Sequence, residues 1–259
     1  MIIADLIYCF KTRRVWWFTA SSRTKARFAR TSLGSFWLGL SNLLSILALG
    51  SVYGTVFNVE NFRVYFIYLG IGLVIWNTLC ASIISAPDLF NHNASNIKNL
   101  NINPLFYTLE EWAFQVQTFV QSFGLVFVVL SIFNPSIILN LLIYSFFPLL
   151  NLILFIYWFP LVICILGSRF SDLCQLVPIA MQIIFLISPI LYMKDSLGSL
   201  KWISNYNFIY RVLEPLRTSV LEGYINLEEA IFFLFFNIIG FILALKLLNN
   251  HRTKLPFLV

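Results

Sequence analysis

From Trp112 to Ser168 the chain carries no charged residue. A surface helix of a soluble domain needs a polar face toward water, and charged side chains usually supply it. About 20 apolar residues cross a bilayer's hydrocarbon, so this run is too long for one crossing and has to double back. Asn134-Pro135 is the turn signal within it. It divides the run into predicted helices at about 112–133 and 136–167, joined by a tight hairpin. The rest of the chain agrees. Of 259 residues, 59% are hydrophobic, 17% aromatic and only 11% charged, against about 25% charged in soluble domains; mean hydropathy is +0.84. A soluble enzyme of this size could not hide so much apolar surface, and a disordered chain would not carry it. The expected fold class is an all-α polytopic membrane protein.

Windows without charge, or with one at the rim, place four further spans at about 36–57, 64–87, 173–193 and 230–248. Six transmembrane helices then form one domain over 1–259, with both termini on one side. Seven basic residues crowd the segment before the first span: Lys11, Arg13, Arg14, Arg23, Lys25, Arg27 and Arg30. An apolar span follows at once, so this is a juxtamembrane cytoplasmic patch rather than a nucleic-acid site. Lys98, Arg169, Lys246, Arg252 and Lys254 fall on the same side. Only Arg63, Lys194, Lys201, Arg211 and Arg217 fall opposite, which sets both termini in the cytoplasm.

Three pieces do not span. The N-terminal segment, 1–30, contains Asp5–Phe18, which mixes apolar residues with Lys11, Arg13 and Arg14 and ends in Trp16-Trp17. That pattern suits an amphipathic helix lying in the interface. Asp88–Glu111 is an Asn-rich cytoplasmic loop, and Lys194–Glu229 alternates apolar and polar residues. Backbone at membrane depth must be helical or covered, so the latter is expected to form short external helices dipping back. Cys9, Cys80, Cys164 and Cys174 have no metal-site spacing and read as free thiols.

The missing chemistry narrows the function. No phosphate-cradling G-x-x-x-x-G-K-[ST] loop occurs, no charged residue falls inside the six predicted spans apart from Lys246 at the rim of the last, and no metal or catalytic constellation stands out. An uncharged bundle of this kind is a conduit whose energy comes from a partner. The loop Asp88–Glu111 is the best docking site for that partner; an ordinary connecting loop is the alternative reading.

Several motifs carry a resemblance. Arg27-Phe28-Ala29-Arg30-Thr31-Ser32-Leu33-Gly34-Ser35-Phe36-Trp37-Leu38-Gly39-Leu40-Ser41 resembles the R-Y-x-R-S-x-L-G-P-x-W-L-x-L-S opening of span 1 in type-2 ABC permeases that export O-antigen and other lipid-linked polysaccharides. Ser35 stands where Pro is usual. Leu166-Gly167-Ser168-Arg169-Phe170-Ser171-Asp172-Leu173 is similar to the element before span 5, Ser188-Pro189-Ile190-Leu191-Tyr192 to its ending, and Asn207 through Glu222 to the external segment before span 6.

This resemblance implies a homodimer bearing two separate nucleotide-binding ATPase subunits, in the bacterial cytoplasmic membrane. No cofactor is expected on this chain, with MgATP on the partner. It implies a coupling helix between spans 2 and 3 carrying Ile97, Lys98, Asn99, Leu100, Asn101 and Phe106. Arg23, Lys25, Arg27 and Arg30 would meet the lipid pyrophosphate. Trp37, Tyr53, Tyr65, Tyr68, Trp76 and Tyr192, with Tyr144 and Tyr157, are candidate sugar-facing aromatics, and Tyr210, Arg211, Glu214 and Arg217 would shape the external gate. Membrane lipid and a polyprenyl-pyrophosphate-linked polysaccharide are the expected partners. Capsular polysaccharide, teichoic acid or another lipid remain alternative cargoes, and a membrane-embedded glycolipid enzyme is a further alternative. Gly50 and Gly54 form a G-x-x-x-G in span 1 that would serve packing either within a subunit or between two.

Overall fold

The computed structural model describes residues 2–99, 102–194, 198 and 201–258. The regular elements among them are helical. The N-terminal segment forms α1 (Ile2–Lys11) and α2 (Arg13–Phe28), followed by the long helices α3 (Trp37–Val56) and α4 (Phe62–Ser85). Two short helices, α5 (Leu89–His92) and α6 (Ala94–Asn99), precede α7 (Leu105–Phe133). Then come α8 (Ser136–Tyr144), α9 (Phe146–Gly167), α10 (Leu173–Ile187), α11 (Lys201–Tyr206), α12 (Phe208–Glu222), α13 (Leu227–His251) and α14 (Leu255–Leu258).

Among the described residues, five segments are long and apolar enough to cross a membrane: Gly34–Val56, Phe62–Ser85, Leu105–Phe133, Phe146–Gly167 and Leu227–His251. The predicted span at 173–193 is shorter than expected. Pro189 drives Ser188 into extended backbone, with φ −78° and ψ 137°, so α10 stops after 15 residues. That rises only about 22 Å, less than the roughly 30 Å of hydrocarbon. The predicted helix over 136–167 is two helices. Ser145 ends α8 and starts α9, because Pro148 has no N–H to continue the ladder and fits best in a first helical turn. Helix α7 begins at Leu105, before the predicted 112, and so takes Glu110 and Glu111 into a membrane-length helix.

Helix α4 is the hub. Helices α3, α7, α9, α10 and α12 all pack on it, and Leu69, Ile71, Ile75 and Leu79 along its middle are buried. The G-x-x-x-G is used within the subunit: a Cβ on Gly50 would fall 2.5 Å from the Phe66 ring, and one on Gly54 2.6 Å from the Phe62 ring. Helix α13 packs along α9, where Trp158 donates to Asn237 Oδ1 at 2.9 Å and Asn237 donates to Asn151 Oδ1 at 3.0 Å. Each of these buried amides is thereby partnered.

One end of the bundle gathers several peripheral elements. Phe90, Ile97, Leu105, Leu161, Leu245, Leu248 and Leu255 form a buried cluster with Tyr8, Cys9 and Trp16 against it. The N-terminal helices, the α5–α6 segment and the C-terminus therefore meet at the same end. Ile7, Phe10, Val15, Trp17 and Phe18 remain exposed along α1 and α2.

Candidate functional site

Helix α3 buries little of itself, and α10 presents Leu176, Ile179, Ile183 and Leu186 outward. Between them, on α4, Asn77 is exposed and donates to Asn42 Oδ1 of α3 at 2.7 Å. Ser41, Ser45, Ser51 and Thr55 lie on the exposed side of α3, and each hydroxyl donates to a carbonyl on the preceding turn. Their protons are satisfied in place, so the face tolerates an apolar neighbour while offering acceptor lone pairs. Gln175 and Gln182 are exposed on α10. The outcome is a broad uncharged surface of amides and hydroxyls set among leucines and isoleucines.

The aromatic candidates divide. Tyr53 stacks on Phe57 at 5.7 Å, and Phe57 meets the Tyr192 ring at 6.4 Å, forming a cluster at the far end of α3. A pocket of ≈ 350 Å³ lies there between Phe57, Asn61, Val64 and Tyr192. Trp37 is partly exposed at the opposite end of α3. Tyr65, Trp76 and Tyr157 are buried inside the subunit, at 1%, 4% and 5% exposure, so they serve its packing rather than its surface. Tyr65 donates instead to Leu191 O, and Trp76 packs on Phe185. Tyr68 donates to Pro189 O at 2.9 Å. Tyr65 and Tyr68 thus hold the chain that leaves α10.

Of the coupling candidates, Ile97 is buried as an anchor, while Lys98 and Asn99 point outward from α6. Phe106 belongs to the first turn of α7 rather than to α6. Leu100 and Asn101 lie outside the described residues.

The basic patch also divides. Arg23 Nη1 pairs with Glu111 Oε2 at 2.6 Å, and the guanidinium carbon lies 4.2 Å from the centre of the Phe114 ring. Glu111, buried, also accepts from Ser85 Oγ at 3.0 Å and Gln115 Nε2 at 2.8 Å. Arg23 is therefore a clasp between α2 and α7, and its guanidinium is occupied. Lys25 lines a polar pocket of ≈ 300 Å³ with Ser35, Gln117 and Gln121. Arg27 and Arg30 are exposed.

At the gate, Arg217 is 2% exposed. Its Nη1 donates to Pro189 O at 2.9 Å and its Nη2 to Tyr210 Oη at 2.6 Å, with the Tyr68 ring 3.8 Å from its centre. Tyr210 Oη in turn donates to Glu214 Oε1 at 3.2 Å, and Lys194 pairs with the same oxygen at 3.0 Å. Burial pushes the Tyr210 phenol above its ordinary range, so it stays a neutral hydroxyl able to accept and donate at once. Tyr210, Glu214 and Arg217 form one cluster. Arg211 does not join it, since it lies 5.5 Å over Phe233 of α13.

Residues 16–221 match the family of ABC-2 type transporter membrane proteins. This chain belongs to that family. An O-antigen export system permease protein, RfbA of Klebsiella pneumoniae, is 23% identical over 246 residues, covering 89% of each chain. The protein is thus an ABC-2 permease, the transmembrane subunit of an ABC transporter.

The Arg23–Glu111 clasp of the permease is not visible in the sequence. The role of Glu111 was hidden because the start of α7 was placed too late, which left the carboxylate in a loop. Capturing Arg23 by Glu111 needs the fold, since they are 88 residues apart. Replacing Glu111 by Ala is expected to free α2 from α7 at a cost of about 2–3 kcal/mol, because a partly buried charge loses its partner. Limited proteolysis after Arg23, Lys25 and Arg27 measures this, and cleavage should speed up with the rest of the chain intact.

Proposed function

We propose that this permease exports a polyprenyl-pyrophosphate-linked polysaccharide of O-antigen type across the bacterial cytoplasmic membrane. It acts as a homodimer on two separate ATPase subunits, with both termini cytoplasmic. The observation that carries this reading is the uncharged polar face of α3, α4 and α10. A sugar polymer is neutral and amphipathic; it needs hydrogen-bonding groups and apolar contacts rather than fixed charge. Two such faces, opposed across a two-fold axis, enclose a path of that character. The likeness to the Klebsiella export permease supports the same cargo class.

The end cluster explains how a motor would be felt. Lys98 and Asn99 are presented outward, while Ile97 beneath them packs with Phe90, Leu105 and Leu255. A push on α6 by an ATPase subunit passes through Ile97 to α7. The Glu111 bonds to Arg23 and Ser85 share it with α2 and α4. The two states of the dimer differ in whether the α3 and α10 faces touch, which is the differential contact a switch requires. At the same end, Arg27, Arg30 and Lys25 remain available for a pyrophosphate, which arginine grips bidentately.

Two experiments test the reading. Bulky Trp at Ser45, on the exposed face of α3, is expected to cut polymer export about tenfold or more while membrane insertion is unchanged, since overfilling a path costs of order 1–3 kcal/mol. Normal export in Ser45→Trp would remove the path. Arg27→Gln with Arg30→Gln is expected to reduce export by a similar factor, two charge-assisted phosphate contacts being lost at about 1.5–3 kcal/mol each. Unchanged export with normal insertion would remove the entrance.

A further inference from the structure

Helix α13 packs along α9 and makes no extended contact with α3, α4 or α10. On that flank a cleft of ≈ 690 Å³ separates α12 from the start of α13, a volume within the roughly 300–1,000 Å³ of small-molecule sites. Arg211 and Glu222 line it from α12, Asn226 and Glu229 from the start of α13, and the exposed Tyr206 and Tyr224 border it. Its floor is the first turns of α9.

The charges in this cleft are separated rather than paired. Lys194 and Glu214 satisfy one another at 3.0 Å. Among the described residues Arg211 has no carboxylate within ion-pair distance, and neither Glu222 nor Glu229 has a cation. Arg211 lies level with Phe233, six residues into α13, about 9 Å along the helix axis. The polar layer of a bilayer is only about 5–7 Å deep on each side; with Leu227 at its outer edge, Arg211 would sit at the boundary between headgroups and acyl chains. An arginine there draws an anion, and phosphate matches its fork. Glu222 and Glu229, nearer the helix ends, call for a cation one step farther out. Phe233 and Ala230 of α13 supply apolar surface to the cleft wall.

We propose that the cleft binds a zwitterionic amino-phospholipid headgroup from the leaflet at the Leu227 end of α13. The phosphate sits on Arg211, and the ammonium faces Glu222 and Glu229. A purely anionic headgroup would meet two carboxylates, and a neutral sugar would leave Arg211 without an anion. The bound lipid bridges α12, the gate helix, to α13. This site is independent of the cargo reading.

The test is native mass spectrometry of the full-length protein in detergent, given equal amounts of phosphatidylethanolamine and phosphatidylglycerol with identical acyl chains. Wild type should retain phosphatidylethanolamine preferentially. Arg211→Gln should lower its retention about tenfold, the size of one lost charge-assisted phosphate contact, while Arg211→Lys keeps most of it. Glu222→Gln with Glu229→Gln should shift retention toward phosphatidylglycerol, and this pair carries the test should Arg211→Gln fail to fold. Equal retention of the two lipids by wild type, a preference for phosphatidylglycerol, an unchanged preference in the double Glu variant, or displacement of the lipid by maltopentaose would each overturn the proposal.

Discussion

Arg217→Leu is expected to unseat the gate helix α12 and to be the most damaging single substitution in the chain. The guanidinium touches three separate parts of the fold: Tyr68 on α4, the Pro189 carbonyl after α10, and Tyr210 on its own helix. Losing a desolvated cation–π contact costs about 2 kcal/mol, and losing the charge-assisted hydrogen bonds to Pro189 O and Tyr210 Oη costs about 1.5–3 kcal/mol each. Against a total stability of about 5–15 kcal/mol, that is a large share. The measurement is the thermal midpoint of the purified protein in detergent, followed with the monodisperse fraction. Arg217→Lys keeps the charge but cannot reach Pro189 and Tyr210 together, so it should fall between. Arg211→Gln, on the other face of α12, should leave the midpoint nearly unchanged. An Arg217→Leu protein as stable as wild type would mean that the cluster does not hold α12.

Gly167→Ala should produce the second large effect. A Cβ there would lie 2.3 Å from the Pro87 carbonyl oxygen and 2.5 Å from its Cα. Those are backbone atoms and cannot swing aside, unlike the phenylalanine rings facing Gly50 and Gly54. Overpacking of this kind costs roughly 1–3 kcal/mol. The damage would be local, because Pro87 joins α4 to the α5–α6 segment. Export should therefore fall more than folding does, with stimulation of the partner ATPase by the permease lost. Gly124 is the control: nothing lies within 4 Å of its Cβ position. Gly124→Ala should be neutral or gain up to about 1 kcal/mol through helix propensity. Equal tolerance at both positions would contradict the packing at the α4–α5 corner.

Helix existence was legible where apolar runs were long, and boundaries failed where proline acted. Pro148 and Pro189 are plain in the sequence, yet a charge-free run hides their effect, because hydropathy does not register a missing N–H. Leu105–Glu111 was read as loop for the converse reason: two adjacent carboxylates look like a solvated rim, and the Arg23, Ser85 and Gln115 partners that allow Glu111 to be buried come from elsewhere in the fold. Among the candidate sites, residue type pointed to the right neighbourhoods but not to the right faces. Tyr65 and Trp76 carry the same chemistry as Tyr53 and Tyr192. Only the position of α4 at the hub turns them inward. Arg211 and Arg217 are six apart on one helix, and the two faces they occupy could be separated only once α13 and α4 were placed.

The central claim is that this permease moves its cargo only with work done by a separate ATPase. The direct measurement is translocation of lipid-linked polysaccharide in proteoliposomes holding the permease alone, or the permease with an ABC ATPase subunit that co-purifies with it, each with and without MgATP. The account predicts movement only when both proteins and MgATP are present. Translocation or chemical change of the cargo by the permease alone would contradict it.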